Sequence, residues 1–219
     1  MNIFDILGPV MVGPSSSHTA GAVRIGLTAI KLLGEKPTEA QITLSGSFAA
    51  TGRGHGTDRA IVAGLLGMKP DDMRIPHSFE EAEKSGLRFK IKNGYIPNSH
   101  PNTALICLTG EKGATVEAQL CSLGGGRIMI NTLDGVEINC TGECPTIIVH
   151  NVDVPGHVAR VAGMLAQNGI NIATMNLCRD KRGGNAVMVI ETDQNIEKEK
   201  LNYLESVDGV TKVTYIGEN

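Results

Sequence analysis

The sequence predicts an α+β protein of two domains: an irregular mixed α/β domain, then a compact domain of six elements in the order βαββαβ. Three observations support this. The 219 residues, of which 41% are apolar and 20% charged, are enough for two cores. Apolar residues recur with helical and strand periods, most regularly in the last third of the chain. A turn-rich stretch, Thr141–Pro145, separates the two patterns, so we place the domains at residues 1–143 and 146–219.

The N-terminal domain mixes helices with strands. A helix is predicted over Thr19–Leu33, where apolar residues follow helical spacing and Gly34 ends the element, and a second over Asp58–Met68. Six strands are predicted, of which the last two form a hairpin around the two-residue turn Asp134-Gly135. They cover Ala40–Leu44, Leu87–Ile91, Thr103–Leu108, Thr115–Leu120, Ile128–Leu133 and Val136–Asn139.

The C-terminal domain is more regular. A strand over Thr146–His150 precedes a helix over Val158–Ala166, which Asn168-Gly169 ends. The remaining elements are two strands, a helix and a last strand, at Ile170–Leu177, Ala186–Glu191, Asn195–Ser206 and Val210–Ile216. This order is the split-βαβ pattern of the ferredoxin-like fold.

Composition excludes several classes of partner. With 20 Lys+Arg against 23 Asp+Glu, the formal charge of -3 gives no electrostatic case for nucleic acid or an anionic membrane. The first basic residue is Arg24 and no apolar run approaches ~18 residues, so we expect no secretory leader, no membrane span and a cytoplasmic protein. The odd number of cysteines predicts free thiols and no metal ligand set in this chain; they are Cys107, Cys121, Cys140, Cys144 and Cys178.

The first candidate site is a run of hydroxyls at the predicted start of the first helix. Ser15, Ser16, Ser17 and Thr19 surround His18, and free N–H groups at a helix start favour an anion such as a carboxylate. One serine suffices to cap a helix, so a run of them favours a ligand site over simple capping.

The second candidate is His55, in the loop predicted over residues 52–58. Glycines on both sides of His55 leave its ring open to a ligand, and imidazole can exchange a proton near neutral pH. The alternative is a turn histidine beside a helix cap at Asp58.

A third region holds Asn98, His100 and Asn102, which can hydrogen-bond a substrate or cap turns. The following run Gly124–Gly126 can hold an anion or simply enter a hairpin. The other histidines, His77, His150 and His157, are predicted to be structural.

The C-terminal domain resembles the ACT domain in its element order and in two loops, residues 151–156 and 169–173. ACT domains are regulatory modules that usually pair and bind amino acids at the interface of the pair. The resemblance implies self-association and an effector site at Asn151, Asp153, Gly156 and Asn171. The same side chains can serve only as caps and turn formers.

Four motifs in order, GPSSSHTAG, GRGHGTDRA, HPNTA and SLGGGRI, followed by the ACT-like domain, resemble the beta chain of the bacterial iron–sulfur-dependent L-serine dehydratases. The resemblance covers essentially the whole chain. It implies a larger alpha chain as partner, whose cysteines hold a 4Fe-4S cluster. It also implies that L-serine loses water to form aminoacrylate, and then pyruvate and ammonia. The cluster iron would act as a Lewis acid on the serine hydroxyl and carboxylate.

In that reaction a base must take the Cα proton. We assign it to His55, with His18 as the second candidate; Ser15, Ser16, Ser17 and Thr19 would hold the carboxylate, and Asn98, His100 and Asn102 would line the cleft. An alternative is a non-catalytic amino-acid-binding subunit, because the family's N-terminal fold resembles effector-binding domains of some 3-phosphoglycerate dehydrogenases. A Ser-His hydrolase is disfavoured because the chain lacks the G-x-S-x-G elbow.

Overall fold

The computed structural model describes residues 10–197 and 201–217, which form an α+β structure as predicted. The chain divides into two compact units, with the division between Asn131 and Thr132. This division falls within a strand, whereas the sequence pattern changes near residue 143. The domain limits 1–143 and 146–219 stay a prediction.

The first helix begins earlier than predicted. A π-helical turn at Ser16–Gly21 continues directly into α1, Ala22–Leu33, which ends at Gly34 in the left-handed conformation (φ 83°). Ser15 starts the turn, because its side-chain oxygen accepts a hydrogen bond from the His18 backbone N–H. The apolar side of α1 is buried, and the three consecutive serines before it are half-buried.

Three further helices lie in the first unit: α2 at Ser47–His55, α3 at Thr57–Leu65 and α4 at Ser78–Ser85. The loop predicted over residues 52–58 is wrong, because the first four of these residues form the end of α2 and Thr57 and Asp58 begin α3. Only Gly56 between them is left-handed (φ 69°). The glycines of this segment weaken its helical pattern, which is why α2 was not predicted.

The first sheet has the strand order β2-β1-β3-β4-β5-β6. β1 is parallel to β2 and antiparallel to β3, and β3 is antiparallel to β4. Every strand predicted here is found, most of them longer than predicted: β1 Pro37–Gly46, β2 Arg88–Asn93, β3 Asn102–Gly110, β4 Thr115–Gly124, β5 Arg127–Leu133 and β6 Val136–Cys140.

Glycine turns join the last strands of this sheet. Asp134 and Gly135 both have positive φ (48° and 82°), as the predicted two-residue hairpin turn requires. The run Gly124–Gly126 joins β4 to β5, and all three glycines have positive φ. It is therefore a hairpin turn that residues with a Cβ would strain.

The second unit contains an antiparallel four-stranded sheet in the order β10-β7-β9-β8. Its elements are β7 Thr146–Val152, α5 His157–Gln167, β8 Ile172–Arg179, β9 Asn185–Thr192 and β10 Val210–Ile216. One apolar cluster joins the sheet to α5; its fully buried members are Ile147, Val149, Val161, Leu165, Met188, Ile190 and Leu204. This arrangement confirms the ferredoxin-like character of the unit.

The second helix predicted for this unit, Asn195–Ser206, is wrong where it can be compared. Residues 195–197 are not helical, and Leu201 and Leu204–Ser206 have 3₁₀ conformation with turn residues between them; residues 198–200 lie outside the described residues. Tyr215 accounts for the difference at the start, because its hydroxyl accepts from the Ile196 N–H at 2.9 Å and donates to Asn195 Oδ1 at 3.0 Å. The apolar residues of the segment still enter the core.

Among the helices in the described ranges, none combines the length and apolar character needed to cross a membrane.

Candidate active site

Two imidazoles lie together at the meeting point of the π-helical turn and α2. The ring centroids of His18 and His55 are 5.0 Å apart, with the ring planes tilted by 48°. The His18 ring also contacts the Phe48 ring in an edge-to-face arrangement, with the ring centroids 5.3 Å apart. Phe48 is fully buried, whereas His55 is exposed. The two predicted catalytic candidates are thus neighbours, one fixed against the core and one open.

Hydroxyl groups surround both nitrogens of the His18 ring. On one side, Nδ1 lies 3.2 Å from Ser17 Oγ and 3.4 Å from Ser15 Oγ. On the other side, Nε2 lies 3.1 Å from Thr51 Oγ1 and 3.3 Å from Ser47 Oγ. Both nitrogens are therefore engaged within the protein.

The environment of His18 keeps its ring neutral. Burial lowers the pKa of His18 below the usual value of about 6.5, and the neighbouring His55 lowers it further. A hydrogen bond with the Ser47 backbone carbonyl opposes both effects. The net effect is a lowered pKa, so His18 is uncharged at neutral pH.

The serine loop has both accessible and buried members. Ser15, Ser16 and Ser17 are half-buried, and Ser15 Oγ lies 3.3 Å from Ser17 Oγ. Thr19 is 2% exposed, and its Oγ1 has no hydrogen-bond partner among the described residues. The Thr19 side chain instead packs against Gly13, where an added Cβ would come within 2.5 Å of Thr19 Oγ1.

The segment Asn98–Asn102 is attached to the start of α2 through its backbone. The Pro101 carbonyl accepts from the N–H groups of Ser47 (2.6 Å) and Phe48 (3.3 Å). Gly46 permits this approach: it has φ 58°, and a Cβ there would lie 2.5 Å from the Pro101 oxygen. The segment thus helps to orient the helix that carries Ser47, Thr51 and His55.

The polar side chains of this segment make local contacts. His100 Nδ1 accepts from the Asn102 N–H at 3.1 Å, and the Asn102 side-chain amide donates to the Ser122 carbonyl at 3.4 Å. Asn98 is exposed in a left-handed conformation (φ 54°). In the described part of the chain, none of these three side chains has a recorded hydrogen bond to His18 or His55.

Ser47 and Thr51 belong to the site, although sequence reasoning did not find them. They lie four residues apart and so on one face of α2. This signal becomes readable only once residues 47–55 are recognised as a helix.

The five cysteines are free thiols. Burial raises the pKa values of Cys107, Cys121 and Cys140, which makes these thiols poorer metal ligands. Within residues 10–197 and 201–217, no group of three or more His, Cys, Asp or Glu side chains is placed to hold a metal ion. This set of residues does not fit an iron–sulfur cluster.

In the second unit, the predicted effector residues lie at both ends of the loop before α5 and at the start of β8. Asn151 is 3% exposed; its amide donates to the Val152 carbonyl, while its Oδ1 is buried and has no partner among the described residues. Gly156 precedes α5 in a left-handed conformation (φ 96°). Asn171 donates to Asp193 Oδ2.

The Asp153 carboxylate is held by hydrogen bonds from a backbone N–H and from an arginine. Its Oδ2 accepts from the Gly183 N–H and from Arg179 Nη1, both at 2.9 Å. The Gly183 N–H, and then Arg179, hold the pKa of Asp153 below its usual range. Its carboxylate therefore ties the loop before α5 to the turn between β8 and β9.

His150 has a charged neighbour that the sequence did not indicate. Its Nδ1 lies 3.9 Å from Asp134 Oδ2. Burial lowers the pKa of His150, and Asp134 opposes this shift.

An open groove of about 430 Å³ runs along α5, bordered by Arg160, Met164 and Asp208, and none of the predicted effector residues lines it.

Two protein families match separate parts of the chain. The serine dehydratase beta chain family matches residues 2–93, which include His18, His55 and the serine loop. The ACT domain family matches residues 145–209. Both matches agree with the resemblances stated from the sequence.

The similarity to curated proteins extends over the whole chain. The sequence is 43% identical to the probable L-serine dehydratase, beta chain, of Bacillus subtilis, with 99% of this chain and 98% of the relative covered. It is 35% identical to the L-serine dehydratase, beta chain, of Peptoniphilus asaccharolyticus, over 97% and 96% of the two chains. An L-serine dehydratase of Haemophilus influenzae is 29% identical, and the match covers 81% of this chain but 42% of that longer protein.

Proposed function

Because the chain belongs to the L-serine dehydratase beta chain family, we propose that it is one of the two chains of an enzyme that converts L-serine into pyruvate and ammonia. The partner is an alpha chain. Support for this division comes from the longer Haemophilus relative, of which this chain matches 42%.

One observation carries the catalytic part of the proposal: two imidazoles 5.0 Å apart lie beside a loop of serine hydroxyls. Serine dehydration requires a base for the Cα proton and donors for the carboxylate. The imidazoles supply the base. The donors for the carboxylate are hydroxyls at the start of a helix, from Ser15, Ser16, Ser17 and the buried Thr19.

His55 is the better placed of the two histidines to act as the base. It is exposed, and no hydrogen bond to its ring is recorded within the described ranges. His18, in contrast, has hydroxyl partners on both nitrogens. His55 can therefore accept a proton from a ligand without first breaking an internal hydrogen bond. His18 packs against the His55 ring and is itself held by hydroxyl groups.

The 4Fe-4S cluster belongs to the proposed alpha chain. The residues described here do not fit it, since they offer no cluster of three or more metal-ligating side chains. The steps assigned to this chain are limited to its own groups: His55 takes the Cα proton, the serine loop orients the carboxylate, and Asn98, His100 and Asn102 border the cleft.

A reconstitution experiment tests the division of labour. Each chain is purified alone, and pyruvate release from L-serine is measured for this chain, for the alpha chain and for an equimolar mixture. We expect release only from the mixture, because the proton acceptor and the metal lie on different chains. Steady release by this chain alone would contradict the proposal.

The alternative of a purely regulatory subunit is not favoured. The full-length relatives are named as dehydratase beta chains. A carboxylate-binding module would also have no need for two adjacent imidazoles. In the reconstitution experiment, full activity of the alpha chain by itself would support this alternative.

We further propose that the ACT domain pairs with a second copy and binds an amino acid near the start of α5. Asn151 supports this, because its buried Oδ1 has no partner among the described residues and can accept a hydrogen bond from a ligand ammonium. Gly156 gives the ligand access to the N–H groups at the start of α5, and Asn171 would contribute from the second copy. Asp153 would shape the loop through Arg179 and Gly183.

Asn151→Ala is expected to weaken L-serine binding at the ACT domain at least ~10-fold, the effect of losing a hydrogen bond to a charged group. Binding is measured by calorimetry on the chain carrying His18→Ala, which removes the ring at the centre of the first site. Asn202→Ala, an exposed amide in the same unit, is the matched control and should bind normally. Equal binding by both variants would place the effector elsewhere.

A further inference from the structure

Thr51 has a single hydroxyl hydrogen and two polar atoms within hydrogen-bond distance of its Oγ1. Its Oγ1 lies 2.9 Å from the Ser47 backbone carbonyl oxygen and 3.1 Å from His18 Nε2. A carbonyl oxygen can only accept, so the Thr51 hydrogen lies between Oγ1 and that oxygen; without it the two oxygens would repel each other. Thr51 Oγ1 is then an acceptor toward His18, and Nε2 must carry the hydrogen.

The opposite side of the ring is compatible with this assignment. A neutral imidazole that is protonated on Nε2 has a bare Nδ1. Ser17 can donate to Nδ1 across 3.2 Å, and Ser15 can donate to Ser17 across 3.3 Å while accepting the His18 backbone N–H. The hydrogen bonds then run in one direction, from Ser15 through Ser17, His18 and Thr51 to the Ser47 carbonyl.

From this geometry we propose that Thr51 is a positioning residue, which holds His18 as the Nε2–H tautomer and directs its basic nitrogen, Nδ1, toward the serine loop. The carbonyl of Ser47 fixes the direction because it is the one member of the chain of bonds that cannot donate. Ser47 Oγ, 3.3 Å from Nε2, is a second acceptor for the same hydrogen.

This arrangement assigns different tasks to the two histidines. His18 is fixed at both nitrogens, so its ring cannot rotate without losing hydrogen bonds to Thr51 and to the serine loop. Nδ1 orients the hydroxyl of Ser17, whereas His55 remains open for proton transfer. The effect of Thr51 on turnover rests on the proposed dehydratase function, but its effect on the tautomer does not.

The tautomer is measured on the full chain by long-range ¹H–¹⁵N correlation spectra of the imidazoles at about pH 8, above the usual histidine pKa of about 6.5. We expect wild type and Thr51→Ser to carry the hydrogen on Nε2. In Thr51→Val the Nδ1–H form should increase, because the Ser47 hydroxyl can then donate to Nε2. An Nδ1–H wild type, or a Thr51→Val spectrum identical to wild type, would overturn the inference.

Turnover with the alpha chain provides the second readout. Thr51→Val should lower kcat about five- to tenfold with little change in KM, since Thr51 contacts His18 and not the substrate, whereas Thr51→Ser should stay within about twofold. A changed tautomer with unchanged kcat would refute the positioning role. If the two wild-type chains together release no pyruvate, the dehydratase function fails, and the spectra still decide the tautomer.

Discussion

His55→Asn in the reconstituted two-chain enzyme is expected to lower kcat for L-serine by at least ~100-fold, the usual contribution of a positioned general base. Asparagine has a similar size and can hydrogen-bond, but it cannot accept the Cα proton near neutral pH. The ring of His55 lies at the open end of the site, 5.0 Å from His18, so its replacement removes the proposed proton acceptor without opening a cavity in the core.

His77→Asn is the matched control. His77 is also an exposed histidine of the first unit, at the end of a 3₁₀ turn, and its loss should leave turnover near normal. The pKa of His18 gives a check on the fold: His55 lowers it, so in His55→Asn the NMR titration midpoint of His18 should rise while remaining below the usual value, because burial persists. Near-normal turnover of His55→Asn would remove His55 from the mechanism.

The sequence singled out the two histidines of the candidate site because the residues beside them are unusual for a core histidine. His18 follows three serines and His55 lies between glycines, so neither has the apolar neighbours of a core histidine. The structure brings these two rings together. The ring contact itself could not be predicted, because it depends on α2, a helix hidden by glycines at positions that usually end helices.

The missed partners of His18 have a related cause. Ser47 and Thr51 look like ordinary surface hydroxyls when α2 is not recognised, and only a 3.6-residue period places both beside one imidazole nitrogen. In the second unit the error is the reverse, because a helix was predicted where residues 195–197 are not helical. The apolar period of residues 195–206 predicted a helix, but hydrogen bonds with Tyr215 hold the first residues in another conformation, while the Ile196 side chain still enters the core.

Close backbone packing is a further feature that composition indicates only in general terms. The sequence contains 27 glycines, and nothing in their number tells which of them allow two segments to approach. In the structure, Gly26 of α1 and Gly64 of α3 meet at the crossing of the two helices: a Cβ added at Gly26 would lie 2.8 Å from the Gly64 Cα. This contact sets the position of α1, and the serine loop lies directly before that helix.

Gly64→Ala is therefore expected to destabilise the first unit by about 3 kcal/mol, the upper range for overpacking a core. The new Cβ would lie 2.1 Å from the Val23 carbonyl oxygen and 2.9 Å from the Leu27 nitrogen, which are backbone atoms and cannot rotate away. The helices must separate, which opens voids among their buried side chains. Urea unfolding followed by the helical circular dichroism signal measures the loss, since α1 to α4 all lie in this unit.

Gly54→Ala makes the same chemical change where there is space. Gly54 lies in α2 with no atom within 4 Å of an added Cβ, and alanine favours helix over glycine by up to about 1 kcal/mol. The unfolding midpoint of Gly54→Ala should thus equal or exceed that of wild type, while that of Gly64→Ala falls. Equal midpoints for Gly64→Ala and wild type would mean that α1 and α3 do not cross at these glycines, and that the helix supporting the serine loop and His18 is held in some other way.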